Sequence, residues 1–203
     1  MIDDALIKNA ENYARERLSD QRYAHSLRVA ETTEHLAELH GLDAKRSRLA
    51  GILHDAAREI GKEELLRVAE EDGLSVGDFE RERPTLLHGP VAAKLAREDL
   101  GVEDGEILDA VRAHTIGEPG MGPLALALFV ADKIEPGREQ PGVEDLREIA
   151  PVSLHRAARA ALEDSISYNE RRDRPAHPRS RQTLEWLRDY GTTATSAPAR
   201  CSA

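Results

Sequence analysis

Six side chains of metal-binding type are strung along this chain: His25, the adjacent His54 and Asp55, His88, His114 and Asp132. Imidazole nitrogens and carboxylate oxygens suit Fe, Mn, Zn and Co. Gathered from several helices, such donors can hold two divalent ions, and paired ions hydrolyse phosphate esters and anhydrides. A lone His-Asp dipeptide proves little in a chain with 8 histidines, because short motifs recur by chance. Its surroundings give it weight. The pair ends an apolar stretch carrying Leu49, Ile52 and Leu53, a histidine precedes it on an earlier helix, and Asp132 lies in the most hydrophobic segment of the chain. An unpaired carboxylate there would be costly. Successive helix residues diverge by roughly 100°, so His54 and Asp55 share an ion only if other helices complete its shell, with His25 and Asp132 as the candidates. His35, His40, His155 and His177 fit no such pattern and are read as solvated side chains.

The elements that must position these donors are helices. Apolar residues recur at helical spacing with Gly and Pro as punctuation, and no stretch alternates with period two. The expected order starts with helices over about 3–18 and 20–40, the second with Leu27, Ala30, Leu36 and Leu39 on its buried side and Gly41 as its stop. A third helix, capped by Asp43, leads to His54, and a fourth spans 62–72. The polar segment 73–85 reads as a loop with one short helical turn, a candidate lid or rim. Pro90 opens a fifth helix ending near Leu100 and Gly101, and a sixth covers 103–114. After the loop 117–123, the stretch 124–134 is apolar nearly all round, as befits a central buried helix. Helices over 143–150, 152–171 and 180–190 complete the fold. Residues 1–190 are expected to form one helical domain, and 191–203, which lack an apolar face, a disordered tail.

Composition agrees with an all-α class: aromatics make up 3% of 203 residues and charged residues 33%, while Ala, Leu, Glu and Arg favour helix over strand. A formal charge of -10 argues against nucleic-acid binding, which calls for a basic face. A polyanionic small substrate would need local positive charge from metals and a few Lys or Arg. The acidic opening Met1-Ile2-Asp3-Asp4 is unlike an export signal, and the apolar run 124–131 is too short to span a bilayer. A single cysteine, Cys201, forms no internal disulfide, so a cytoplasmic location is expected.

Five strings carry a resemblance: Arg22-Tyr23-Ala24-His25-Ser26, Ala50-Gly51-Ile52-Leu53-His54-Asp55, Leu87-His88-Gly89-Pro90, Ala113-His114-Thr115-Ile116-Gly117 and Ala131-Asp132-Lys133-Ile134-Glu135-Pro136-Gly137-Arg138. On these, over roughly 20–150, the chain resembles the HD-domain superfamily of metal-dependent phosphohydrolases. More narrowly, it resembles the bacterial symmetrical bis(5'-nucleosyl)-tetraphosphatases of the YqeK type. The resemblance implies an HD-type helical bundle in which His25, His54, Asp55 and Asp132 hold one ion, and Asp55 bridges to a second held by His88 and His114. It also implies iron as the metal, with manganese or another transition metal as the substitute. Where the family carries Lys after the His-Asp pair, this chain has Arg58, which keeps the charge but not its geometry.

The implied chemistry is consistent with the residues. Four charges on two divalent ions against two carboxylates leave a net positive centre that attracts polyphosphate oxygens and lowers the pKa of bound water from about 15.7 towards about 7. The expected reaction is attack of hydroxide on the central anhydride of diadenosine tetraphosphate, giving two ADP, with Asp55 and Arg58 as catalytic residues. Arg28, Lys133 and Arg138 are the candidate phosphate contacts, and Thr115 and Gly117 could approach the substrate through a hydroxyl and a backbone donor. The expected partner is thus a small nucleotide, with neither nucleic acid nor membrane involved, and a homodimer is compatible with the sequence without following from it. The competing readings are another HD phosphohydrolase acting on nucleotides or cyclic dinucleotides, a di-iron oxygenase on the same ligand set, and a non-catalytic helical module.

Overall fold

The structure is a computed structural model and describes residues 2–193. Among them there is no strand, and the chain runs through α1 (Asp4–Arg17), α2 (Asp20–Leu39), α3 (Ala44–Leu53), α4 (Lys62–Glu71), α5 (Asp78–Glu82), a 3-10 turn (Pro84–Leu87), α6 (His88–Leu100), α7 (Gly105–Ala113), α8 (Pro123–Ile134), α9 (Val143–Ile149), α10 (Leu154–Glu170) and α11 (Pro178–Thr193). The ends follow from local chemistry. The carboxylates of Asp3, Asp43 and Asp104 accept backbone N–H bonds from the first turns of α1, α3 and α7, which satisfies donors a helix leaves open. Gly41 and Gly101 take left-handed backbone at the ends of α2 and α6, where a side chain would be strained.

α8 is the axis of the bundle. From Leu124 to Asp132 every residue is buried, and the helix touches α2, α3, α7, α9 and α10. Its Phe129, Leu126 and Leu128 are fully enclosed, each contributing about 1.5–3 kcal/mol by leaving water. Around it, two helix crossings are unusually close. At Gly51 on α3 a Cβ would lie 2.4 Å from Ala30 Cα on α2, and at Gly89 on α6 a Cβ would lie 2.9 Å from Val111 O on α7.

Some expectations shift. The buried side of α2 is carried by Ser26, Val29, Ala30, Thr33, Leu36 and Ala37, whereas Leu39 at its end is 49% exposed. The seam is set by small residues that admit α3, and a reading by hydrophobicity alone overlooks them. α10 begins two residues later than expected, because the Ser153 side chain caps it and Val152 is left outside. The segment 73–85 contributes α5 and leads into the 3-10 turn. Of the expected tail 191–203, the first three residues fall in α11 and the remainder lies outside the described residues. Among the described residues no helix is long and apolar enough to cross a membrane.

Candidate metal centre

The six sequence-selected donors converge. His25 comes from α2, His54 follows the end of α3 with Asp55 in the turn beyond, His88 opens α6, His114 follows α7 and Asp132 sits near the end of α8. All six are buried. Two groups of donor atoms, His25 with His54 and Asp55, and Asp55 with His88 and His114, each lie within 4.8 Å of one another. Asp55 belongs to both: its Oδ2 is 3.9 Å from His25 Nε2 and 3.7 Å from His54 Nε2, while its Oδ1 is 3.1 Å from His88 Nε2 and 3.8 Å from His114 Nε2. Asp132 joins the first group through Oδ1, 3.1 Å from His25 Nε2 and 4.0 Å from His54 Nε2.

Local structure aims the ring nitrogens. In three of the histidines Nδ1 donates to the carbonyl three residues back: His54 to Gly51 O at 2.7 Å, His88 to Thr85 O at 2.5 Å and His114 to Val111 O at 2.7 Å. A carbonyl can only accept, so each Nδ1 carries the proton and each Nε2 presents a lone pair inward. His25, in mid-helix, has no such carbonyl and uses Glu135 instead, its Nδ1 lying 3.1 Å from Oε1. The two close crossings serve this arrangement. Gly51 lets α3 settle on α2, and Gly89 lets α6 settle on α7 within reach of His114 Cε1.

The donors fit a cation. The Nε2 atoms of His25 and His54 are buried without a hydrogen-bond partner. Those of His88 and His114 face each other at 2.9 Å, and His25 Nε2 faces a carboxylate oxygen of Asp132. Lone pairs set against lone pairs and anionic oxygens repel, and a positive ion among them removes the conflict. Protonation states agree. Burial pushes the pKa of His54 and His114 down, so both rings stay neutral. Burial opposes ionisation of Asp55 and Asp132, but the polar groups around Asp55, and Lys133 with Arg138 beside Asp132, outweigh it and hold both carboxyls below the usual range. Neutral imidazole and ionised carboxylate are the forms that bind divalent metal.

The candidate substrate contacts divide. Lys133 Nζ is 2.7 Å from Asp132 Oδ2 and Arg138 Nη2 is 2.6 Å from Asp132 Oδ1. Arg28 donates from Nε to Glu135 Oε2 at 2.5 Å and makes no ion pair with Asp55 or Asp132 among the described residues. The Thr115 hydroxyl lies 3.2 Å from His114 Nε2 and 3.3 Å from His88 Nε2. Gly117 has its N–H bonded to Ala113 O at 2.8 Å and a left-handed backbone, and a Cβ there would meet Thr183 Cγ2 on α11 at 2.8 Å. Its absent side chain serves the packing of the loop. Arg58 is half-buried, its backbone N–H bonded to Asp55 O at 2.8 Å, and its side chain enters no hydrogen bond or ion pair among the described residues.

Two residues were missed by sequence reasoning. Glu135, 2% exposed, accepts from Arg28, from the Gly137 N–H at 2.6 Å and from His25. Burial raises its pKa, but the Arg28 guanidinium and the Gly137 N–H outweigh this and leave it at about 2. Arg22 reaches Asp55 Oδ2 with Nη1 at 3.2 Å. Its signal was its place three residues before His25, on the same helix face. His40, His155 and His177, expected in solvent, are half-buried and partnered, His40 Nε2 with Ala150 O at 2.8 Å, His177 Nε2 with Glu80 Oε1 at 2.8 Å and the His155 ring with that of Trp186, their centroids 5.7 Å apart.

An all-helical bundle whose buried donors converge on two metal-type groups defines a class, and the chain belongs to it: residues 22–137 match the HD domain family, and this span includes all six donors. Among similar proteins are those named symmetrical bis(5'-nucleosyl)-tetraphosphatase. The one from Bacillus subtilis (strain 168) is 35% identical over 173 residues, covering 85% of this chain and 92% of the relative. The one from Staphylococcus aureus (strain NCTC 8325 / PS 47) is 42% identical over 149 residues, covering 71% and 74%. A solved structure from Clostridium acetobutylicum, described as a "predicted HD superfamily hydrolase involved in NAD metabolism", superposes with a TM-score of 0.87 at 31% identity, covering 90% of this chain and 97% of that one. The HD match and the His/Asp groups together point to binding of divalent metal.

Proposed function

We propose that this protein is a metal-dependent hydrolase that cleaves diadenosine tetraphosphate symmetrically, giving two ADP. The reading rests on one observation: four inward-facing Nε2 atoms and the carboxylates of Asp55 and Asp132 meet in a buried cluster with Asp55 common to both halves. Similarity across 92% of a relative named for this activity supplies the substrate. In our reading, His25, His54, Asp55 and Asp132 hold one divalent ion and Asp55, His88 and His114 a second, with iron or manganese suited to the donor set. When bound, such ions supply Lewis acidity and a hydroxide-like nucleophile near neutral pH.

The chain's own groups position and neutralise. Lys133 and Arg138 lie on Asp132 here; with Asp132 serving as a metal ligand, both would be placed to meet phosphate oxygens beside it. Arg22, now 3.2 Å from Asp55, is placed to do the same from the other side. Thr115 offers a hydroxyl beside the second group. Arg28 is better assigned to bracing His25 through Glu135 than to touching substrate, and Arg58 to the second rank of positive charge near Asp55.

Metal content per chain, measured with and without His54→Ala and followed by product analysis on the same samples, tests the reading. Two ions falling to one or none, with formation of two ADP lost, is the expected result. ATP plus AMP as products, or turnover independent of metal, would overturn it. Activity that persists with manganese in the absence of oxygen separates hydrolysis from oxygenase chemistry.

A further inference from the structure

Beside the second half of the metal centre lies a cavity of about 460 Å³, within the usual size range of small-molecule sites. It is contiguous with the centre at two residues. Thr85, on its wall, accepts the Nδ1–H of His88, and Thr115, also on its wall, has its hydroxyl within 3.3 Å of the Nε2 atoms of His88 and His114. One wall is the segment singled out in the sequence as a rim, with Phe79 on α5; the opposite wall is α10, with Leu162 and Ile166, and the turn into α11.

The rim is tied to the turn that leads into α11. Arg83 donates to Pro175 O at 3.1 Å and lies over the Phe79 ring at 5.2 Å, and His177 reaches Glu80 at 2.8 Å. The lining has the composition a nucleoside requires. It offers apolar and aromatic surface for a base, and three cations, Lys62, Arg83 and Arg174, against a single carboxylate, Glu82, on a chain of formal charge -10. Lys62 and Arg174 are exposed and their side chains enter no ion pair among the described residues. A polyanion carrying an aromatic base matches this surface, whereas an uncharged apolar ligand leaves the cations unused and free phosphate leaves the apolar walls unused.

We propose that this cavity seats one nucleoside end of the dinucleotide, with the phosphate chain leaving past Thr115 towards the metal centre. The proposal rests on the hydrolase reading for the identity of the chain's substrate, but the binding of a nucleoside phosphate can be tested apart from turnover. Held there, the nucleoside anchors one end of the substrate, so the cavity acts on affinity while the metal ligands act on the bond broken.

The test uses manganese-loaded protein, ADP as the calorimetric probe and inorganic tripolyphosphate as a probe without a nucleoside. Ser165, on the cavity wall, is replaced to fill it (Ser165→Trp), and Arg174 at the rim is reversed in charge (Arg174→Glu). Filling the cavity is expected to weaken ADP binding and raise KM for diadenosine tetraphosphate by on the order of tenfold or more, with kcat, metal content and tripolyphosphate affinity little changed. Arg174→Glu, at an exposed position that tolerates change, should weaken ADP severalfold, and it carries the test if Ser165→Trp does not fold. ADP affinity and KM unmoved in folded, metal-loaded variants overturns the subsite, as does failure of the unaltered protein to bind ADP. The two readings separate cleanly. Pocket-dependent ADP binding without cleavage of diadenosine tetraphosphate sinks the hydrolase reading alone, and cleavage with indifferent variants sinks the subsite alone.

Discussion

His54, His88 and His114 each commit Nδ1 to a carbonyl three residues back, and that small local bond decides which nitrogen faces inward. His25 lacks it because its neighbouring carbonyls are occupied within α2, so the same task falls to Glu135, a buried carboxylate held in turn by Arg28 and the Gly137 N–H. Gly137 is glycine for a related reason, since a Cβ there would lie 2.8 Å from the Arg28 guanidinium. Carboxylates behind metal-binding histidines fix ring orientation and raise ligand basicity, and losing one costs roughly ten- to a hundredfold in metal affinity. Glu135→Gln is therefore expected to weaken the first ion by about that factor and leave the second nearly unchanged, as measured by titration against a competing chelator. Equal affinities in the variant and the unaltered protein would show that Glu135 only braces Arg28. His54→Ala, by contrast, removes a donor outright.

At the scale of elements, the centre exists because α3 lies against α2 and α6 lies against α7 more closely than side chains usually permit. The glycines at those crossings are positioning devices even though neither touches the donors' coordinating atoms. Gly51→Ala puts a methyl 2.4 Å from Ala30 Cα, so the helices must part. Overpacking of this kind costs about 1–3 kcal/mol, and because His25 and His54 ride on the two helices, metal binding should weaken alongside stability. Gly105→Ala is the matched control: nothing lies within 4 Å of a Cβ there, and the change should be neutral or stabilising by up to about 1 kcal/mol. Urea denaturation of the two variants, with metal stoichiometry on the same samples, checks both halves. Equal midpoints for the two substitutions would mean that the α2–α3 crossing is softer than its geometry suggests. The periodicity of the sequence located these helices to within a few residues and named their stops, yet it assigned Leu39 to the buried face of α2 when the true seam is built from Ala30, Thr33 and Ala37. Hydrophobic pattern reports which residues avoid water and is silent on how near two backbones come.

For the whole molecule, the donor cluster is a store of unfavourable electrostatics that metal relieves, so folding and binding are linked. Metal at about a hundredfold over Kd contributes about 2.7 kcal/mol per site, and for a chain of this length about 1 kcal/mol moves Tm by 2–4 °C. Two filled sites should raise Tm by on the order of 10 °C, and a chelator should reverse it. The metal-free protein should respond to pH in a defined direction. Buried His54 and His114 titrate below their ordinary value of 6.5, so between those lowered values and 6.5 the unfolded chain binds more protons than the folded one, and stability falls as pH drops below 6.5. The metal-dependent gain in Tm should shrink once the pH is low enough to protonate the folded rings themselves, because protons and metal then compete for the same Nε2 lone pairs. A Tm independent of metal from pH 7 to 5 would contradict the linkage. The sequence by itself determined the helical class, the central apolar helix, the six donors and the family whose motifs carry them, because residue type, local capping and period are properties of short stretches of chain. Only the tertiary structure decided that Lys133 and Arg138 rest on Asp132, that Glu135 stands behind His25, that Gly117 belongs to loop packing, and that a cavity opens beside His88 and His114. Each of these is a meeting of segments set by the distance of closest approach between helices, and no local pattern encodes that distance.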